Sequence, residues 1–173
     1  KTIGPLTERL LSCAHDFASL DELESVDTKY QRLLEMLTSY FKTNPKEKLI
    51  VFSTFRGTLK YLKRRLLHDG ITSTVLVGGM KQPKADVIAA FQGDPETRIL
   101  LSSEVGGEGV DLQFCRVVVN YDLPWNPMRV EQRIGRVDRL GQASPTVAIW
   151  NIFYDETVDA RIYRKLYDKL DLC

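Results

Sequence analysis

The 173 residues, 43% of them hydrophobic and 27% charged, suffice for one globular domain with a real core, and 24 basic against 23 acidic side chains leave a net charge of +1. This balance excludes a disordered chain, no stretch approaches the roughly 20 apolar residues of a membrane span, and the opening KTIGPLTERL has no apolar run of the signal-peptide kind. Three widely spaced cysteines (Cys13, Cys115, Cys173) with no CxxC pair, and only two histidines, give neither a disulfide framework nor a zinc site and point to a reducing, intracellular setting.

The first 42 residues read as helix. Leu6, Leu10, Cys13, Phe17 and Leu20 keep helical spacing, and Tyr30, Leu33, Leu34, Leu37, Tyr40 and Phe41 form a clear amphipathic stripe that Asn44-Pro45 stops. From Lys48 the pattern changes to short continuous apolar runs: LIVF (49–52), VLV (75–77), ILL (99–101), VVV (117–119) and a fifth within TVAIWNIFY (146–154). Runs without alternation suit strands buried on both faces, as in a parallel sheet. Between them, residues 57–69 place Leu59, Leu62 and Leu66 on one helical face before Gly70, and residues 83–92 bury Val87, Ile88 and Phe91, with Pro83 as first helical position and Gly93 at the end. Alternating strand and helix predict an α/β layered fold with right-handed crossovers.

Charge is unevenly placed. Residues 1–27 carry net −4, residues 56–69 net +4 and residues 129–142 net +2; by themselves such runs are better explained as solvated helix faces than as partner sites.

Three segments carry chemistry. QRIGRVDR (132–139) is predicted to lie on a helix started by Asn126-Pro127 and ended by Leu140-Gly141. At 100° per residue, Gln132, Gly135, Arg136 and Arg139 fall within about 100° on one side, with Val130, Ile134 and Val137 opposite. Two guanidinium forks beside a bare backbone position suit phosphate oxygens, or else pair with Glu131 or Asp138. SSEVGGEGVDL (102–112) follows the ILL strand; Gly106, Gly107 and Gly109 let backbone approach a ligand beyond the carboxyl end of a strand, or make an ordinary tight turn. VFSTFRG (51–57) runs a buried strand into Ser53 and Thr54, which either contact phosphates or cap the next helix, the cap being favoured by the residues alone. There is no GxxxxGK followed by Ser or Thr, and no DExx after an apolar strand, so a complete P-loop site is not built by these residues.

Taken in order, these segments resemble the second, C-terminal RecA-like lobe of a superfamily 2 helicase-type motor of the Swi/Snf-like branch. VFSTF resembles motif IV, SSEVGGEGVDL motif V and QRIGRVDRLGQ motif VI; DLPWNP (122–127) resembles the D-x-WNP segment before motif VI, and IWNIFYDETVDARIYRKL the strand-and-helix ending. The QRIGRxDR form is similar to that of the bacterial RNA-polymerase-associated subgroup. The resemblance covers roughly residues 28–170; residues 1–27 match no motif of the family.

What the resemblance implies is a RecA-like three-layer α/β/α fold with a mostly parallel sheet, over residues 45–173, preceded by a helical extension at residues 1–44. Arg136 and Arg139 would face a nucleotide held by the first lobe, at least one as an arginine finger, with Gln132 aligning them and Gly109 and Asp111 at the nucleotide's edge. Ser53, Thr54 and Ser103 would contact the phosphate backbone of the tracked strand, and Trp125 would face nucleic acid, a core tryptophan packed between prolines being the alternative. No residue is assigned to a metal; ATP and Mg2+ would be bound mainly by the first lobe. The implied activity is an ATP-dependent, DNA-stimulated translocase or helicase to which this lobe supplies arginines and part of the track, inactive alone. The implied partners are double-stranded DNA, the first lobe and RNA polymerase or another DNA-bound complex, in the bacterial cytoplasm at the nucleoid and without a membrane. Two rivals remain at this point: a lobe of a helicase that unwinds RNA or acts on single strands, and a non-enzymatic interaction module of the same fold.

Overall fold

Residues 26–155, with 157, 160, 161, 163 and 164, are described by a computed structural model; the apolar stripe expected at residues 6–20 lies outside them. Asp27 starts the first described helix, α1 (Thr28–Thr43), by accepting the Tyr30 amide on Oδ1 at 3.0 Å. Asn44 ends it, its N–H donating to the Tyr40 carbonyl. Tyr30, Leu33, Leu37 and Phe41 of the expected stripe are buried.

Each apolar run forms a strand: β1 (Leu49–Phe52), β2 (Ser73–Leu76), β3 (Ile99–Ser102), β4 (Val117–Asn120) and β5 (Ala148–Asn151). All pairings are parallel, in the order β2-β3-β1-β4-β5, with Val51 of β1 opposite Leu101 of β3 and Val119 of β4. Helix α2 (Arg56–His68) links β1 to β2, and α3 (Lys84–Gly93) links β2 to β3. The central strands β1, β3 and β4 are buried throughout. The two outer strands are only partly so, with Ala148 of β5 exposed; an outer strand has one neighbour, which the continuous apolar runs did not reveal.

Successive strand residues point to opposite faces, and the core divides accordingly. Leu49, Val51, Ile99, Leu101, Val117 and Val119 pack with Tyr30, Leu33 and Leu37 of α1 and with Leu59, Leu62 and Leu66 of α2. Ile50, Phe52, Leu100 and Val118 pack with Val87 and Phe91 of α3 and with Leu112, Cys115 and Val137. The result is the expected three-layer α/β/α arrangement. Across residues 44 and 45, where an extension was expected to meet the lobe, the core is continuous, because α1 lies on the same sheet face as α2.

Helix ends follow from local chemistry. Gly70, at φ +74°, lets the amides of Gly70 and Ile71 turn back to the carbonyls of Leu67 and Leu66, closing the exposed end of α2. Pro83 precedes α3 as its cap rather than forming its first residue, and Gly93 lies inside the helix with Asp94 as cap.

Burial pushes the Cys115 thiol up to about 12. Reactive thiolate is therefore scarce in the folded state. Cys115 is expected to resist iodoacetamide near pH 8 in the native chain and to react once the chain is unfolded in denaturant, read as peptide-resolved modification by mass spectrometry.

Candidate nucleotide and nucleic-acid site

Because the strands are parallel, β1, β3 and β4 deliver the segments that follow them to one edge of the sheet: Ser53-Thr54, Ser103-Glu104 and Tyr121-Asp122. Two short helices lie there, α4 (Glu104–Gly107) and α5 (Pro127–Ile134). Asn126 caps α5 by accepting the Met128 amide at 3.0 Å.

The side chain that α5 buries most deeply is an arginine. Arg133 is 2% exposed. Its Nε donates to Glu104 Oε1 at 2.9 Å, and Nη2 pairs with the same oxygen. Nη1 donates to Asn120 Oδ1 at 2.7 Å and to the Asp122 carbonyl at 2.9 Å, while the Asp122 carboxylate lies 3.9 Å from Nη2. The Phe52 ring covers the guanidinium, centroid to carbon 5.3 Å. A buried cation persists when it is paired and its donors are satisfied, and Arg133 meets both conditions.

Asp122 joins this centre to β1. Its Oδ2 accepts the Ser53 hydroxyl at 2.5 Å and its Oδ1 accepts the Thr54 amide at 2.7 Å. Neither Ser53 nor Thr54 caps α2, as the residues alone had favoured; Phe55 occupies the cap position and makes no side-chain bond there. Ser53 is fully buried, so its hydroxyl holds Asp122 rather than facing solvent, whereas Thr54 is exposed. Ser103 is likewise buried and caps α4, accepting the Gly106 amide at 3.0 Å. Of the four residues expected to meet nucleic acid, Thr54 and Trp125 thus present exposed side chains. Trp125 is 80% exposed, which removes the core-tryptophan alternative.

The glycines of SSEVGGEGVDL divide by cause. A Cβ on Gly106 would stand 2.1 Å from the Leu76 carbonyl oxygen, and one on Gly107 would stand 2.9 Å from the Phe52 ring. Both are small because the first turn after β3 packs on β1 and β2, and not because a ligand approaches them. Gly109 differs: at φ +72° it has open space where a Cβ would lie. Lys84 fixes the turn before it, its Nζ donating to the carbonyls of Val105 at 2.6 Å and Glu108 at 3.0 Å.

The helix expected to run to residue 140 ends at Ile134. Gly135 caps it, and residues 136–138 continue as tight turns, with Val137 donating to the Ile134 carbonyl. The Arg136 carbonyl accepts the Leu112 amide at 3.0 Å, and Val137 is fully buried. Gln132, Gly135, Arg136 and Arg139 therefore do not share one helix face. Gln132 and Arg136 nonetheless line one small cleft with Phe52, Glu104, Gly107, Glu108 and Arg133, while Arg139 is exposed and outside it. Asp111 is exposed, Oδ1 accepting the Gln113 amide at 3.3 Å. Among the described residues, the side chains of Arg136 and Arg139 make no hydrogen bond or ion pair, and the alternative pairing with Glu131 or Asp138 is not seen. An unpaired guanidinium beside an amide side chain fits phosphate oxygens, and Glu104 is already neutralised by Arg133. Among the described residues there is no cluster of three side chains able to hold a metal ion, and no helix long and apolar enough to cross a membrane.

Glu104, Asn120, Asp122 and Arg133 were not singled out from the sequence. For Arg133 a signal exists: at 100° per residue it falls about 60° from Val130, within the docking side with Ile134 and Val137. A charge on a docking side requires a buried counter-charge, and Glu104 in motif V is that partner.

Comparison with known proteins identifies the family. Residues 28–141 match the helicase conserved C-terminal domain. The chain belongs to that helicase C-terminal domain family. It is 46% identical over 127 residues to an uncharacterized ATP-dependent helicase, YqhH, of Bacillus subtilis, covering 73% of this chain and 22% of the relative. It is 31% identical over 173 residues to the RNA polymerase-associated protein RapA of Pectobacterium atrosepticum, covering 96% of this chain and 18% of that protein. The chain thus spans about a fifth of the length of these relatives. The fold is shared with the C-terminal part of the Fun30 ATPase domain, at a TM-score of 0.75 and 23% identity over 91% of this chain and 53% of that one. The helicase C-terminal lobe recognised from the ordered motifs, and its RecA-like α/β fold, are therefore established.

Within this helicase lobe the motif VI arginines should separate by stability. Arg133→Ala strands Glu104 and Asn120 and is expected to cost about 3–5 kcal/mol, whereas Arg136→Ala should stay within about 0.5 kcal/mol of wild type, both measured by urea denaturation.

Proposed function

We propose that this lobe is the second motor lobe of an ATP-driven translocase on duplex DNA, joined in a longer protein to a first lobe that carries the nucleotide. The reading is carried by one observation: Arg136 stands in a cleft at the carboxyl edge of the sheet with no partner among the described residues, three residues from an arginine that is fully paired. A guanidinium left unpaired where it borders Gln132 and the backbone of motif V is placed for an anion arriving from outside the lobe.

ATP with Mg2+, when bound, supplies the transferable phosphoryl group. Arg136 and Arg139 stabilise negative charge on it as the two lobes close, and at least one acts as an arginine finger, a contribution worth about 10³–10⁵ in rate. Gln132, exposed one turn before Arg136, orients the phosphate side of the cleft. Gly109 and Asp111 border the nucleotide. Thr54 and Trp125 contact DNA, while Ser53 and Ser103 act from within by holding Asp122 and the first turn of α4. The two functions meet at Asp122 and Arg133. Asp122 holds the start of the loop that carries Trp125, and Arg133 ties that loop to Glu104 of motif V. Movement of either edge is thereby felt at the other. Likeness to a protein named RNA polymerase-associated supports RNA polymerase as the DNA-bound partner in a bacterial cytoplasm.

The arginine assignment is tested in the two-lobed protein. Arg136→Lys and Arg139→Lys should bind ATP yet lose most DNA-stimulated turnover, because lysine keeps the charge but loses the planar fork; the lobe alone should turn over no ATP. Near wild-type turnover by both variants at saturating ATP and DNA would refute the assignment, and stimulation by single strands in place of duplex would favour an unwinding helicase.

For Trp125 the exposed side chain sets a second expectation. Trp125→Ala should move the stability of the lobe by no more than about 0.5 kcal/mol while weakening DNA stimulation of the two-lobed ATPase, compared by thermal melting and by turnover with and without duplex.

A further inference from the structure

Helix α2 turns to solvent a face of basic side chains with one exposed apolar residue, Leu67, among them. Its 13 residues include no acidic side chain. Leu59, Leu62 and Leu66 are buried on the sheet, and at 100° per residue Arg56, Lys60, Lys63, Arg64 and Leu67 fall within about 100° of one another, on an arc centred about 120° from the buried leucines. All five are exposed. Arg56 anchors the N-terminal end by donating to the Gly78 carbonyl at 2.6 Å, and the Arg64 guanidinium lies 6.0 Å from the Tyr61 ring. Lys60 and Lys63 make no hydrogen bond or ion pair among the described residues.

The other longer helices differ. Helix α1 exposes Arg32 in a 3.0 Å ion pair with Glu35, and α3 exposes Asp86 among alanines and Gln92. Like charges three and four residues apart on a helix repel, so Lys60 with Lys63 and Lys60 with Arg64 weaken α2 unless an anion lies against them.

The N-terminal end of this face adjoins the exposed aromatics. Phe55, 66% exposed, directly precedes Arg56, and Asp122 binds the neighbouring Thr54 amide while its own chain leads to Trp125 three residues later. From Arg56 to Arg64 the charges extend about 12 Å along the axis, the rise of three to four phosphates on one strand. We propose that the exposed face of α2 binds the phosphate backbone of duplex DNA, extending the contact made at Thr54 and Trp125 along the outside of the lobe. This rests on the DNA-translocase reading and adds a contact surface that none of the five motifs contains.

The test is the salt dependence of binding of the 173-residue chain to a labelled duplex of mixed sequence, followed by anisotropy. Removing one lysine–phosphate pairing lowers the slope of log affinity against log salt by about 0.9. Lys60→Gln with Lys63→Gln should lower it by about 1.8 and Lys63→Gln alone by about 0.9, while Lys42→Gln with Lys46→Gln, exposed charges away from this face, should leave it unchanged. Wild-type duplex binding whose slope the α2 variants retain would overturn the inference and leave the DNA reading standing. No salt-dependent duplex binding by wild type would overturn both. Displacement of the duplex by poly-glutamate at lower charge concentration than by unlabelled duplex would assign the face to an acidic protein instead, and so overturn it.

Discussion

A guanidinium buried beneath the carboxyl ends of three parallel strands has to be neutralised there, and most of the site's geometry follows from how Arg133 is neutralised. Each group that serves it comes from a different part of the chain: Glu104 after β3, Asn120 at the end of β4, the Asp122 carbonyl just beyond, and the Phe52 ring at the end of β1. Loss of the Glu104 carboxylate alone would leave the buried charge without its counter-charge. A fixed arrangement of these loops is thus a consequence of removing one charge from water. Asp122 extends the same logic outward, because its carboxylate holds Ser53 and Thr54 while its carbonyl holds Arg133.

That fixed centre makes the contrast between neighbouring arginines meaningful. Arg133, Arg136 and Arg139 lie within seven residues, yet the first is internal and the other two are unpaired among the described residues. Position along the chain accounts for the difference: Arg133 lies on the docking side of α5, whereas Arg136 and Arg139 follow its end at Gly135 and point away from that side. Val137 between them packs into the core beside Leu112 and Cys115, and Arg136 is left at the cleft.

A second set of contacts binds α1 to α2. The Tyr30 hydroxyl donates to Asp69 and the Tyr61 hydroxyl to Asp27, both at 2.5 Å, and the Arg65 guanidinium stacks 4.3 Å from the Tyr30 ring. Burial raises the Tyr30 phenol far above its ordinary value, and the hydrogen bond from Tyr30 holds the Asp69 carboxyl below its own. These bonds lock the N-terminal end of α1 against the C-terminal end of α2. The basic face of α2 is therefore carried by a helix held at both ends, by Arg56 at Gly78 and by Tyr30 at Asp69.

Local chemistry by itself determined the strands, the three longer helices α1, α2 and α3, and the class of fold. A four-residue apolar run such as LIVF has few alternatives to a central parallel strand, and the Leu59, Leu62, Leu66 spacing admits one buried helix face. The ordered motifs likewise identified the helicase lobe, since their residue types and order are visible without coordinates. Partnership was decided by tertiary structure alone. The resemblance set Ser53 and Ser103 against a phosphate backbone, but the parallel register brings Asp122 to the first and the turn of α4 to the second, and both are buried. Gly106 and Gly107 read as room for a ligand, whereas the packing of α4 on Leu76 and Phe52 is what excludes a side chain. Arg133 was on the docking side of its helix in the sequence, but its acceptors lie 29 and 13 residues away. Spacing along one element reports which way a side chain points; what it meets there depends on loops that only the closed sheet brings together.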